Sequence, residues 1–168
     1  MTAMSPLVAR RTTLALFAAA LLPAVARAQT GAQTGPQPLL PREALTIVTH
    51  EGKIHLFHVE MALSPTQQET GLMFRPSVPA DGGMLFDWGA PRESQMWMKN
   101  TIASLDMLFI GAHGTIRHIA EDTVPQSLAI IDGRVPVRAT LELAAGTAAR
   151  LDIRVGDTVR QRIFGNAG

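Results

Sequence analysis

The sequence of 168 residues contains no cysteine. This absence excludes disulfide bonds, and it also excludes a lipid-attached amino terminus made by acylating a cysteine. Small exported domains often depend on disulfides, so the stability of this chain must come from packing. A run of lysine and arginine is absent as well. Without that electrostatic footprint we expect no nucleic-acid partner.

Long hydrophobic runs are also missing. The apolar stretch at residues 14–25 is interrupted by Pro23 and is shorter than the roughly 20 residues of a membrane-spanning helix. Two arginines precede it, and Ala26-Arg27-Ala28 follows it as an A-x-A cleavage site. We therefore expect residues 1–28 to be a signal peptide, a mature start at Gln29, no stable membrane span after cleavage, and a periplasmic or secreted protein. The arginine pair leaves both the Sec and the twin-arginine export routes open.

Removal of the predicted signal peptide changes the charge of the chain. Three of the 15 basic residues are lost and no acidic one, which leaves 12 against 14 and a net charge of −2. The following residues 29–43 are rich in glycine, proline, glutamine and threonine, a composition typical of a flexible linker. We expect one folded domain at residues 44–165, long enough to bury roughly two-thirds of its unfolded surface.

Most of that domain has the pattern of strands. Residues 45–49 and 53–62 are dominated by β-branched and aromatic side chains around a glycine-containing turn, which predicts a hairpin. A glycine-rich turn at 111–114 predicts a second hairpin. The complete set of further predicted strands is 84–86, 95–100, 106–110, 115–121, 137–143 and 155–163.

The strand predicted at 137–143 alternates in polarity. Its apolar positions are Val137, Ala139, Leu141 and Leu143, and its polar positions are Arg138, Thr140 and Glu142. Successive side chains of a strand point to opposite faces, so this pattern predicts a half-buried strand with the polar set facing water.

Helical signals are few. Ser64 can cap a helix that begins at Pro65, with Gln67 completing a capping box and Gly71 ending the helix. A last helical turn is predicted at residues 147–151. The fold class is therefore mostly β, with α+β possible: a compact antiparallel or mixed sheet, or a barrel-like domain, with one or two short helices.

Five short motifs occur in a fixed order along the chain. They are Gly71-Leu72-Met73-Phe74-Arg75, Gly83-Met84-Leu85-Phe86, Trp97-Met98-Lys99-Asn100-Thr101, Leu105-Asp106-Met107-Leu108-Phe109-Ile110 and Leu141-Glu142-Leu143. In these motifs the chain resembles the DUF192 (UPF0127) family over about residues 54–160. The resemblance implies a small, mostly-β domain, often exported, in a family without an established biochemical activity.

One segment combines the side chains that small-ligand sites use. Trp97, Lys99 and Asn100 lie close together, with Asp106 after them and Arg75 before them. An apolar wall with a few oriented polar groups is the usual composition of a ligand site. The alternative is a structural turn in which Asn100 bonds to backbone and Asp106 pairs with Lys99 or Arg75. We predict that Lys99, Asn100 and Asp106 form one polar cluster beside Trp97.

Other chemistry has weaker support in the sequence. The five histidines show no H-E-x-x-H spacing, so we expect no metal site, and no cofactor is indicated. G-x-S-x-G, S-x-x-K and phosphate-loop motifs are absent. The favoured function is a non-enzymatic accessory module that binds an unknown small molecule or exported protein. The alternatives are a hydrolase using Asp106 and a histidine, or a Cu(I)-binding domain using Met84, Met96, Met98 and Met107.

Overall fold

The computed structural model describes residues 34–167 together with Met1, so the predicted signal peptide and its cleavage site lie outside the described residues. The strands are β1 (Arg42–Val48), β2 (Ile54–Ala62), β3 (Gly82–Arg92), β4 (Gln95–Met96), β5 (Leu105–Ile110), β6 (Ile116–Ala120), β7 (Ile131–Asp132), β8 (Val137–Ala144) and β9 (Thr158–Arg160). The helices are α1 (Pro65–Thr70), α2 (Thr147–Leu151) and a 3-10 helix (Arg162–Phe164). No helix in this part of the chain is long and apolar enough to cross a bilayer.

Seven strands form one mixed sheet in the order β6-β5-β8-β3-β2-β1-β9. The β2 and β3 strands run parallel, and the other neighbours in the sheet are antiparallel. The sheet curls into a half-barrel, and β4 and β7 form a separate small sheet. The predicted fold class, mostly β with two short helices, is confirmed.

The two edges of the curled sheet meet at one end. A bridge joins Thr115, just before β6, to Thr158 in β9, and the Val159 N–H donates to the Gly114 carbonyl at 2.7 Å. Gly114 has φ +89°, and an added Cβ would lie 2.2 Å from the Val159 carbonyl oxygen. Only glycine fits this left-handed position without displacing the neighbouring backbone.

Several predicted elements are confirmed. The β1–β2 and β5–β6 hairpins form in antiparallel register, and α2 has the predicted bounds. The capping box of α1 is complete, with the Gln67 N–H donating to the Ser64 hydroxyl and the Gln67 amide oxygen accepting from the Ser64 N–H at 2.9 Å. These elements are determined by residues close to one another in the sequence, so they could be predicted from it.

Other boundaries differ from the predictions. The β1 strand begins at Arg42, three residues before the strand predicted at 45–49. The strand predicted at 155–163 is limited to Thr158–Arg160, because the chain then turns into the 3-10 helix. The β3 strand extends well beyond residues 84–86 on both sides.

The sheet is covered on both faces. One apolar cluster includes Leu141 and Leu143 of β8, and a second, on the opposite face, includes Met84 of β3 and Met107 of β5. The β8 strand lies between β3 and β5 and is buried on both faces. The prediction of a half-buried β8 is therefore wrong, because segments remote in the sequence cover the face that carries Glu142.

Candidate ligand-binding cleft

The predicted site segment lies directly after β4. Trp97 is 42% exposed, and the Lys99 ammonium stands 4.9 Å from the centroid of its ring. Met98, between them, is fully buried, and its sulfur accepts from the Thr123 hydroxyl at 3.2 Å. Met98 therefore belongs to the core, while Trp97 and Lys99 on either side of it lie at the surface.

The chain does not remain extended through Asn100, so the strand predicted at 95–100 is wrong beyond Met96. Asn100 has φ +56°, a left-handed conformation that asparagine tolerates better than most residues. Its carbonyl accepts from the Phe74 N–H at 2.8 Å, and its side-chain amide lies 3.9 Å from the Met73 sulfur. This residue therefore forms a turn that joins two segments.

Asp106 is fully buried and bonds to backbone. Its carboxylate accepts from the N–H groups of Asp122 at 3.0 Å, Gly146 at 3.2 Å and Ala148 at 2.8 Å. Within residues 34–167 no ion pair joins it to Lys99. The predicted polar cluster is wrong, because these backbone donors occupy the carboxylate and fix the turn before α2.

Arg75 is also separate from Asp106. Its guanidinium makes a two-point ion pair with Glu60, with N–O distances of 2.8 and 2.9 Å, and both side chains are largely buried. A paired geometry of this kind satisfies a carboxylate that has lost its water. Of the predicted site residues, Trp97 and Lys99 contact each other. Asn100 forms a turn that contacts residues 73 and 74, and Asp106 and Arg75 make two further, independent structural contacts.

The alternatives that use these residues lose their geometric basis. Asp106 has no free oxygen with which to orient a histidine for hydrolysis. The four methionines considered as copper ligands, Met84, Met96, Met98 and Met107, all belong to the second apolar cluster. Buried thioethers within an apolar cluster are what core packing produces.

Three possible metal ligands do come together at the surface. His50, Glu51 and Asp152 have ligand atoms within 4.8 Å of one another. However, Lys53 pairs with Glu51 and Arg154 pairs with Asp152, each at 2.7 Å. Because cations of the protein already neutralise both carboxylates, this group is better described as a surface ion-pair network.

Glu142 is the polar residue that the sequence reasoning placed wrongly. It is 4% exposed and lies on β8 directly between Met84 of β3 and Met107 of β5. No donor within residues 34–167 forms a hydrogen bond or an ion pair with its carboxyl group. The carboxyl oxygens are not among the sealed side-chain atoms that lack a partner, so they open to the adjoining cleft, where water or a ligand must supply their hydrogen bonds.

This carboxyl borders a cleft of about 380 Å³, here termed the tryptophan cleft. Its lining combines aromatic and apolar side chains with a nearly equal share of polar ones, and those used below are Glu69, Met73, Trp88, Arg92, Met96, Trp97 and Glu142. Both tryptophans of the chain therefore line one cleft. Aromatic walls combined with oriented polar groups are the form that small-molecule sites take.

Burial changes the protonation of the acid in the cleft. Loss of hydration raises the pKa of Glu142 to about 8, because the charged form is disfavoured away from water. The side chain is therefore mainly a neutral acid at pH 7 and can donate a hydrogen bond. Acids with strongly raised pKa values that border clefts are concentrated at functional sites.

One side of the tryptophan cleft is held in place by the contacts of Trp88. Trp88 packs against Phe86 with ring centroids 5.7 Å apart, and its N–H donates to the Thr140 hydroxyl at 3.2 Å. The Arg92 guanidinium lies 4.3 Å above its ring. These contacts give the aromatic wall a defined position before any ligand arrives.

A second cleft of about 400 Å³ lies over the Arg75–Glu60 ion pair, between Leu39 and the prolines at 76 and 79. The Glu60 carboxylate is occupied by the Arg75 guanidinium and the Leu40 N–H, although the Arg75 Nε has no hydrogen-bond partner within residues 34–167. The tryptophan cleft is the better candidate site, because its carboxyl group has no protein partner in that part of the chain.

Comparisons with known proteins agree with this architecture. The profile of DUF192, described as an uncharacterized ACR, matches residues 46–161, and the chain belongs to this family. A Sinorhizobium meliloti 1021 protein, solved as a candidate transcription regulator, is similar at 47% identity with a TM-score of 0.73, over 76% of this chain and 98% of that one. A Novosphingobium aromaticivorans DSM 12444 protein of unknown function is 33% identical with a TM-score of 0.71, over 76% and 91% of the two chains. No curated protein matches.

Proposed function

We propose that this chain is an exported accessory protein that binds a small molecule in the tryptophan cleft without transforming it. One observation carries the proposal: the buried carboxyl of Glu142 borders an aromatic cleft and has no partner within the described chain. The wall formed by Trp88 and Trp97 supplies apolar contact, and the carboxyl supplies orientation. Export is supported by the signal-like segment at residues 1–28.

The net charge of −2 after cleavage and the absence of a basic run give no support to nucleic-acid binding. The candidate regulatory role attached to the S. meliloti relative is therefore not extended to this chain. Binding of a small molecule is better supported than binding of nucleic acid, because the charged groups Glu69, Arg92 and Glu142 surround one concave cleft.

Removal of Trp97 should weaken ligand binding without unfolding the protein. Fragments that bind in the cleft should change the amide chemical shifts of its lining residues, and Trp97→Leu should weaken these hits by about tenfold, the cost of roughly 1.4 kcal/mol of lost contact. Leu56→Ala provides the control, since Leu56 is 56% exposed on β2 and does not line the cleft. Shift changes that are scattered over the surface, or equal losses in both variants, would contradict a site in the cleft.

Secretion should release a chain that begins at Gln29. The Ala26-Arg27-Ala28 site and the short apolar run motivate this expectation. Expression of the full sequence in a bacterium, followed by intact-mass measurement of the periplasmic fraction and the medium, gives the answer. A protein that keeps residues 14–25 and fractionates with membranes would refute export with cleavage.

A further inference from the structure

Two buried acids lie in one row across the sheet, and only one of them has a counter-ion. The pairing register places Glu60 of β2 beside Met84 of β3, and Met84 beside Glu142 of β8. Paired residues of neighbouring strands project to the same face, so both carboxyl groups belong to the face that carries the second apolar cluster. Glu60 is joined by Arg75. Within the described part of the chain, Glu142 has no cation.

We propose that the tryptophan cleft binds an organic cation with N–H donors, such as an alkylammonium group, and that Glu142 is its counter-ion. The inference depends on the proposed ligand-binding function and specifies its ligand class. Glu60, a buried carboxylate in the same row, is neutralised and hydrogen-bonded by the Arg75 guanidinium. The ammonium group of a ligand would neutralise Glu142 and donate hydrogen bonds to it in the same way.

The charges around the cleft agree with a monovalent cation. The charged groups that line it, other than Glu142, are Glu69 of α1 and Arg92 of β3, which balance each other. From β5, Asp106 directs its carboxylate to backbone donors, and Arg75 is held by Glu60. Among the lining residues an ionised Glu142 therefore leaves one negative charge, which one proton or one ligand cation can neutralise, while the exposed Lys99 ammonium stands outside the lining, over the Trp97 ring.

The aromatic wall also suits a cation. The Arg92 guanidinium lies over Trp88 at 4.3 Å and the Lys99 ammonium over Trp97 at 4.9 Å. Both indoles thus attract cations of the chain itself, through the negative face of the ring. The remaining apolar lining, including Met73 and Met96, would contact the hydrocarbon part of the ligand.

Binding of a cation must displace the proton of Glu142. The carboxylic acid ionises, its proton goes to solvent, and the carboxylate then accepts from the ligand N–H groups. Below the pKa of about 8 the apparent affinity should rise by about tenfold per pH unit, and above it the rise should stop. A neutral ligand would show no such slope, and the affinity of a carboxylate ligand would be constant below this pKa and would fall above it.

Four probes that share one hexyl chain can test the ligand class. They are hexylamine, 1-hexanol, heptanoate and hexyltrimethylammonium, titrated against tryptophan emission, which arises only from the two residues of the cleft. Hexylamine should bind most tightly, with an affinity that rises about fiftyfold between pH 6 and 8. Hexyltrimethylammonium should bind more weakly because it has no N–H donor, and the other two probes should be weaker still.

Glu142→Gln should remove the pH slope and reduce hexylamine affinity by at least tenfold, whereas Glu121→Gln, an exposed acid outside the cleft, should change neither. If Glu142→Gln does not fold, calorimetric titration of the wild-type protein in two buffers of different ionisation enthalpy decides the question. Close to one proton should be released per hexylamine bound at pH 7.

Two outcomes would overturn the inference. One is hexylamine binding no tighter than 1-hexanol, and the other is binding without proton release. If 1-hexanol or heptanoate binds more tightly than hexylamine and Trp97→Leu weakens that binding, the proposal of a cationic ligand is refuted, while the proposed ligand-binding function of the cleft stands. If none of the four probes binds, the ligand class is refuted, and fragment mapping of the cleft separately decides the proposed function.

Discussion

Wild-type protein should lose stability as the pH rises from about 4.5 to 8, and Glu142→Gln should lose much less. The unfolded chain releases the Glu142 proton near the ordinary glutamate pKa of 4.5, whereas the folded protein retains it until about 8. Between these values the folded state binds more protons than the unfolded state, so the free energy of unfolding falls with rising pH. The difference of about 3.5 between the two pKa values corresponds to a loss of about 5 kcal/mol.

Urea unfolding at half-unit steps from pH 5 to 9 measures this slope. At pH 5 the variant and the wild type should be similar, because both side chains are then neutral, and at pH 9 the variant should be the more stable. Glu121→Gln should keep the wild-type slope. Parallel curves for wild type and Glu142→Gln would mean that this carboxyl ionises as easily in the folded protein as in the unfolded chain.

Asp106→Asn should destabilise the domain by about 3 kcal/mol. The carboxylate accepts three backbone N–H groups from two segments, and an amide retains only one acceptor oxygen. At least one buried N–H is then left without a partner, at about 1 to 3 kcal/mol, and the charge-assisted character of the other bonds is lost. Asp106→Ala should have a larger effect.

Lys99→Met provides the comparison for this experiment. Lys99 is exposed and contacts the Trp97 ring, so the change should cost less than about 1 kcal/mol. The double variant in denaturant unfolding should show the sum of the two single effects, because the side chains share no contact. A strong departure from additivity would restore the pairing of Lys99 with Asp106 that the sequence predicted.

Elements that depend on neighbouring residues were predictable. The capping box of α1 is contained within Ser64 to Gln67, and the first hairpin within residues 42–62. Each uses propensities and hydrogen bonds that operate over a few positions. Asn100 could be identified as a turn former for the same reason. The end of the preceding strand at Met96, four residues before the predicted end, could not be predicted.

The environment of the two acids was not predictable, because their surroundings come from distant parts of the chain. The donors to Asp106 lie 16, 40 and 42 residues away. Alternation along β8 correctly separated Glu142 from Leu141 and Leu143, but alternation cannot show whether the polar face is covered. The one available signal was its position within Leu141-Glu142-Leu143, a motif that carried the family resemblance.

The position of β1 between β2 and β9 has a consequence for biosynthesis. A strand near the start of the domain completes its hydrogen bonding only when residues 158–160 have left the ribosome. Contacts that span most of a domain form slowly, since the intervening chain must close first. The nascent polypeptide thus has no finished sheet during most of its synthesis. For the export proposed above, this means that a translocon that accepts only unfolded chains would receive the polypeptide before its sheet is complete.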